Sequence, residues 1–354
     1  MTNLDDVQVY RKLDPEGMLE QLHGFPQQCH AAWHEASDFK LPRSYAQVDK
    51  VVILGMGGSA VGGDLVRGLA IGITKPVIVV SHEYDLPHFV DDRTLVIASS
   101  YSGDTEEILS AFSQALKTGC KKLAITTGGK LKPMAEGAKI PVFTIGHRAS
   151  PRVALGYSFM PLLAMLQNLG FIPDQSAGVE AMIQGLEAQV EELHETVPTA
   201  SNKAKQLAQT LYGKIAVVYG AGIVSEVARR WKTQINENSK AWAFYEVLPE
   251  LNHNAVVGYE SPAEQTSKIY LVMLRCPSLH HRTLLRYDIT SELLKQNNIA
   301  HQIIDVSGKD ALSQMMHMVF YGDWASYYLS ILYQTDPTPV KAIDYLKKRL
   351  SETK

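Results

Sequence analysis

At 354 residues the chain is longer than one compact core needs, which predicts two domains of ordinary size. Hydrophobic residues at 45% and charged residues at 20% exclude a disordered or fibrous chain. A formal net charge of −3, with acids and bases interleaved, gives no electrostatic reason to expect a nucleic-acid or anionic-membrane partner, so any anion site must be local.

Residues 1–48 read as amphipathic helical material broken at Pro15 and Pro26 and packed on a first domain, 49–197. Within that domain, strands are predicted at 51–54, 76–81, 94–99, 122–127 and 141–145. Helices are predicted at 60–69, 105–118, 132–137, 153–169 and 180–196. A hinge is expected at 197–203, after which a second domain, 204–354, repeats the pattern. It has strands at 214–219, 269–274 and 301–306, and helices at 224–236, 282–296 and 312–332. Short, wholly apolar strands alternating with helices predict an α/β fold, with two doubly wound parallel sheets covered by helices on both faces. Each half opens strand, glycine turn, helix, as a duplication would.

Cys29, Cys120 and Cys276 lack a CxxC or Cys/His spacing, so they read as buried thiols in a reducing cytoplasm rather than zinc ligands or a disulfide framework. The start MTNLDDVQVY has neither the basic region nor the apolar core of a signal peptide, and no apolar run approaches the ~20 residues that span a bilayer.

Two loops concentrate the chemistry. Gly55-Met56-Gly57-Gly58-Ser59-Ala60-Val61-Gly62-Gly63 follows a strand and opens a helix, where glycine lets the backbone approach a ligand and free amides attract an anion. Its spacing departs from the dinucleotide fingerprint, and glycine turns alone serve equally for tight strand–helix packing. The second loop, Ser99-Ser100-Tyr101-Ser102-Gly103-Asp104-Thr105-Glu106-Glu107, sets three hydroxyls, on Ser100, Ser102 and Thr105, at a helix start where one would serve as a cap. Neither loop carries Lys or Arg, so a phosphate here would be held by neutral donors and helix dipoles.

GMGGSAVGGD paired with SSYSGDTEE resembles the sugar isomerase (SIS) domain. Carried over residue by residue, the resemblance implies phosphate binding by Gly57, Gly58, Ser59, Ser100, Ser102 and Thr105.

The second half offers QINENSK at the end of a helix and then PELNHN, where Glu237 and His253 each stand between asparagines whose amides could orient them. A carboxylate and a histidine suffice for aldose–ketose interconversion, which needs a base between C1 and C2 and a group to open the ring. Over nearly the whole chain, including DPTPVKAIDYLKKRL, the sequence is similar to the bifunctional phosphoglucose/phosphomannose isomerases. That resemblance implies glucose 6-phosphate and mannose 6-phosphate exchanged with fructose 6-phosphate through a cis-enediol, with no metal and no cofactor. It implies Glu237 as the proton-shuttling base and His253 as the ring opener reaching across a homodimer. It also implies Arg152, or its neighbour Arg148, as the enediolate's cation, and a C-terminal lysine for which Lys341 is the candidate beside Lys347 and Lys348.

Other residues read as structure. His280-His281 reads as a solvated turn; His82-Glu83 and His88, near the carboxyl edge of the sheet where they could line the pocket, read rather as surface loop; Trp231, Trp242 and Trp324 read as core or interface, and Asp104 as a helix cap. A non-catalytic phosphosugar sensor is the competing reading, and the lack of a helix-turn-helix segment or basic patch weighs against it. An amidotransferase-type synthase would need an N-terminal cysteine, and a Schiff-base enzyme a lysine inside an apolar strand; the sequence has neither.

Overall fold

The computed structural model describes residues 2–147 and 149–353. The chain begins with three helices, α1 (Val7–Leu13), α2 (Met18–His23) and α3 (Phe25–Ser37). The Asp6 carboxylate caps α1 by accepting the Gln8 N–H.

The first sheet follows as β1 (Lys50–Leu54), α4 (Gly57–Ala70), β2 (Val77–Ser81), β3 (Thr94–Ser99), α5 (Glu106–Ala115), β4 (Lys121–Thr126), α6 (Leu131–Gly137) and β5 (Val142–Thr144). Its strands are all parallel, in the order β2-β1-β3-β4-β5. The order reverses at β1, and the register sets Leu54 beside Ala98. The loops leaving β1 and β3 therefore emerge as neighbours at the carboxyl edge of the sheet, where open α/β sheets bind ligands. These are the glycine loop and the hydroxyl loop.

The helices α7 (Leu155–Asn168), α8 (Ser176–Leu193) and α9 (Lys203–Leu211) lead into a second sheet. It comprises β6 (Ile215–Ala221), α10 (Ser225–Ser239), β7 (Ala243–Leu248), β8 (Ile269–Arg275), α11 (His281–Gln296) and β9 (His301–Asp305). α12 (Ala311–Leu332) and α13 (Lys341–Glu352) close the chain. The order β7-β6-β8-β9, again all parallel, reproduces that of β2-β1-β3-β4, so the expected duplication is visible in topology.

β7 and α9 are not among the elements the sequence predicts. β7 was not expected, because its inner residues Phe244–Glu246 are exposed on an edge strand and make no apolar run. α13 buries none of its residues.

The core lies around α7 and α12, which are apolar on every side and buried almost throughout. α3 and α4 pack on α7, while α8, α9 and α10 pack on α12. α4 also meets α10, where Arg229 holds Asp64 at 2.7 Å and Arg67 holds Glu226 at 2.5 Å. The two halves are thus joined through the helices that carry the glycine loop and Glu237. All three cysteines are free and buried, as expected. Trp231 and Trp324 are core, whereas Trp242 is 75% exposed.

Candidate active site

The two loops are bonded to each other before any ligand is considered. The Tyr101 N–H donates to Ser59 Oγ at 2.9 Å, tying the hydroxyl loop to the glycine loop. Ser100 Oγ pairs with Thr105 Oγ1 at 2.9 Å and accepts the Gly103 N–H at 3.1 Å. Thr105 stands at the N-cap position of α5 but makes no capping bond, so its hydroxyl is committed to Ser100. Ser102 is exposed, and its hydroxyl accepts the Asp104 N–H. Asp104 does not cap α5 as expected; its carboxylate accepts the Lys130 N–H at the start of α6.

Gly57 begins α4 at φ +51 with open space where a Cβ would stand. Gly58 is enclosed: a Cβ there would lie 2.7 Å from the Pro151 carbonyl oxygen and 3.0 Å from the Arg152 nitrogen. Glycine at 58 therefore serves close packing of the loop against the turn that carries Arg152. Arg148, the alternative cation, lies outside the described residues.

Arg152 is the joint of the site. It is 5% exposed, and its Nε donates to Asn238 Oδ1 at 2.9 Å. One terminal nitrogen donates to the carbonyls of Pro337 and Thr338 at 2.7 and 2.6 Å, and the other faces Glu237 Oε2 at 3.8 Å. Burial pulls its pKa below the ordinary arginine value, against the opposing effect of Glu237, and leaves it a cation at neutral pH. Behind it, Arg230 donates to the Arg152 carbonyl at 3.0 Å while held by Asp323 in a buried two-point pair at 3.1 and 2.7 Å.

Glu237 stands in the last turn of α10 with its side chain 27% exposed. The asparagines beside it do not hold its carboxylate. Asn236 donates to the Ala241 carbonyl, and Asn238 holds Arg152 and Ser326. Asn238 thus positions the cation opposite the carboxylate, and Asn236 closes its own turn. Glu237 also lines a cavity of about 990 Å³ with Lys240, Lys341, Trp242, Phe244 and Ile343. Neither loop reaches that lining, so Arg152 is what connects the loops to Glu237. Lys347 and Lys348 lie further along α13, outside the lining.

His253 is not brought to this cluster. It lies in the 3₁₀ turn Glu250–His253, exposed, and its side chain has no bonding partner among the described residues. Its flanking asparagines turn elsewhere, Asn252 to Thr290 and Arg286, and Asn254 to Glu250 and its own turn.

Comparison with known proteins decides the family. The chain is 43% identical over 340 residues to the bifunctional phosphoglucose/phosphomannose isomerase of Caldicellulosiruptor bescii, covering 95% of this chain and all of that one. The protein of the same name from Aquifex aeolicus is 36% identical, over 85% of this chain and 90% of its own. This protein belongs to the bifunctional phosphoglucose/phosphomannose isomerase family. Within it, residues 200–350 match the bacterial phospho-glucose isomerase C-terminal SIS domain. The tagatose-6-phosphate ketose/aldose isomerase of Escherichia coli shares the fold at a TM-score of 0.71 and 16% identity, over 91% of this chain and 95% of that one.

In this isomerase-family chain some site-building residues were not legible in sequence. Tyr101, between two of the loop's serines, donates its hydroxyl proton to the His147 carbonyl at 2.7 Å and accepts the Ala149 N–H at 2.9 Å. It thereby anchors the segment leading to Arg152. His82, in the loop after β2, is only partly exposed: its Nδ1 pairs with the Gly55 carbonyl at 3.0 Å, and its Nε2 lies 3.7 Å from Asp64. The Asp64 carboxylate raises its pKa, against burial. Only long-range packing creates either arrangement.

Among the described residues, one group could hold a metal: His23, His194 and Glu195. The two imidazole planes are parallel within 5° and stacked at 4.4 Å, so their in-plane lone pairs do not converge on one ion. The group belongs to α2 and the end of α8, elements that carry no candidate catalytic residue.

Proposed function

We propose that the protein interconverts fructose 6-phosphate with glucose 6-phosphate and mannose 6-phosphate through a cis-enediol, without a metal. The observation that carries this reading is Arg152, which packs against the phosphate-type glycine loop on one side and faces the Glu237 carboxylate at 3.8 Å on the other. The phosphate sits on Gly57, Gly58, Ser59, Ser100, Ser102 and Thr105, held by neutral donors and the starts of α4 and α5. Glu237 takes the proton from C2 of the aldose and returns it at C1, or the reverse. Charge that develops on the enediolate oxygen meets the preorganised free edge of Arg152, worth more there than in water because the guanidinium is buried. Lys341, in the cavity lining beside Glu237, adds a second cation at the substrate's open end. Rotation about C2–C3 of the enediol lets either face of C2 be reprotonated, which gives both epimers.

His253 opens the sugar ring by protonating the ring oxygen, and it does so as His253 of the partner subunit in a homodimer. Supporting this are its exposure without a partner, and the exposed Trp242, Phe244 and Val257 around the second half. The unburied apolar residues Ile343, Leu346 and Leu350 of α13 are a further surface a second copy would cover. We take residues 49–197 and 204–354 as two domains, with 1–48 packed on the first. α3 lies on α7 and α8, and α1 and α2 reach α12 as well. A cytoplasmic setting accords with three buried free thiols, and among the described residues no helix is long and apolar enough to cross a membrane.

A coupled assay with fructose 6-phosphate in the presence of EDTA, reading glucose 6-phosphate and mannose 6-phosphate separately, tests the proposal. Both products should form at the rate seen without chelator. Absence of both returns the protein to the sensor reading, and loss on EDTA alone refutes metal independence.

A further inference from the structure

The C-terminal turn of α10 ends on Lys240, in the left-handed conformation at φ 53 and ψ 29. Glycine is the usual occupant of such a C-terminal position, because a side chain there is strained by its own backbone. A lysine kept in a strained position beside Glu237 asks for a reason.

Its ammonium supplies one. Nζ donates to the Glu237 carbonyl at 2.7 Å and to the Pro337 carbonyl at 2.9 Å, with the Asn238 carbonyl at 3.4 Å. The first and third are carbonyls of the last helical turn, which lack partners inside a helix and sit at the negative end of its dipole. The second belongs to the segment between α12 and α13, and it is the same oxygen that accepts from Arg152. Two cations from different parts of the chain are therefore fastened to one carbonyl, and both meet Glu237, Arg152 at its carboxylate and Lys240 at its backbone carbonyl. The residue also lines the cavity that Glu237 and Lys341 share.

Resting on the isomerase reading, we propose that Lys240 is a positioning residue of the reaction. It locks the last turn of α10 to Pro337, so that the Glu237 carboxylate and the free edge of Arg152 keep their mutual geometry, and its charge adds to the field that favours the enediolate. All of its short contacts are to backbone carbonyls, so it acts through Glu237 and Arg152 rather than on the sugar itself.

The charged groups that face the ammonium are Arg152 from the turn before α7, Glu237 on α10 and Asp336 from the segment before α13. Burial and then the neighbouring Arg152 bring the Lys240 pKa down to about 8, while Asp336 and Glu237 oppose that fall. The lysine is thus a cation below pH 8 and loses its charge as pH rises through that value, well before an exposed lysine would.

The test is steady-state kinetics of fructose 6-phosphate isomerisation for the wild type and for Lys240→Gly, Lys240→Met and Lys240→Arg. Lys240→Gly relieves the left-handed strain, so it should melt no lower than wild type while its kcat falls on the order of 10- to 100-fold with KM within about 3-fold, as for an interaction realised in the transition state. Lys240→Met should show the same kinetic loss. The wild-type kcat should decline above pH about 8, and Lys240→Arg, which stays charged, should move that decline upward by roughly a unit or more. A Lys240→Gly enzyme within about 2-fold of wild type, or a Lys240→Arg enzyme with an unmoved alkaline limb, overturns the role of Lys240 and leaves the isomerase reading intact. A wild-type protein that does not turn over fructose 6-phosphate overturns the isomerase reading itself.

Discussion

Arg152 shows how much of a site rests on one side chain's hydrogen-bond geometry. Four contacts, to Asn238, Pro337, Thr338 and Glu237, use the planar fork of the guanidinium. A lysine at the same place has one point charge and cannot reach all four. Arg152→Lys is therefore expected to keep the fold but lower kcat about 100-fold, read in the coupled assay alongside an unchanged circular dichroism spectrum. The residue types of this site were legible in the sequence, and their partners were not. NENSK placed a carboxylate between two amides, and the natural reading was that the amides hold it. Instead Asn238 points to the arginine and Asn236 back to its own turn, because a helical last turn sends neighbouring side chains in different directions. Asp104 is a similar case. Its position before a helix reads as a cap, yet its carboxylate crosses to the start of α6.

Among the elements, the glycine loop and the buried helix pair are the most exacting. Gly58 has no room for a methyl group, and the atoms a Cβ would meet are backbone, which cannot swing aside. Gly58→Ala should displace the loop from the Arg152 turn and cut kcat/KM about 100-fold, a misplacement effect that kinetics at several fructose 6-phosphate concentrations will measure. Behind the same turn, α10 and α12 are joined by the Arg230–Asp323 pair, both side chains almost wholly buried. Asp323→Ala leaves a buried cation without its carboxylate and should cost about 3–5 kcal/mol of stability, measurable by urea denaturation. The strands of the first sheet were readable because they are short and apolar, and all but β3 have a glycine or proline close to one end. β7 was not, since an edge strand exposed at Phe244–Glu246 has neither a continuous apolar run nor strict alternation. α4 and α10 both run further than their sequence pattern suggested, and the extension of α10 to Ser239 is what brings Glu237 into a helix.

At the scale of the whole molecule, two sheets of matching strand order present their switch points through the helices that join them, and residues far apart in sequence become one cluster. The fold class and the two halves were legible because periodicity and glycine turns are local signals. The convergence of positions 58, 152, 237 and 337 was not, because no local pattern encodes which helix packs on which. The placement of His253 bears on assembly. If it serves the neighbouring subunit, then mixing inactive Glu237→Gln with inactive His253→Ala protein and allowing subunits to exchange should restore about a quarter of wild-type activity, since half the dimers would each contain one intact site. No recovery after exchange, with mixed dimers verified by mass spectrometry, means that His253 does not work across the interface. The role proposed for Glu237 is to move a proton between C1 and C2. Its most direct measurement is isomerisation of fructose 6-phosphate in deuterium oxide, with the label at C2 of the products followed by NMR. With the wild-type enzyme, C2 of both glucose 6-phosphate and mannose 6-phosphate should carry either solvent deuterium or the proton taken from C1, in a ratio set by exchange on the Glu237 carboxyl group, and both turnover and labelling should fall roughly 100-fold or more in Glu237→Gln. Turnover or labelling by Glu237→Gln at the wild-type rate would contradict it.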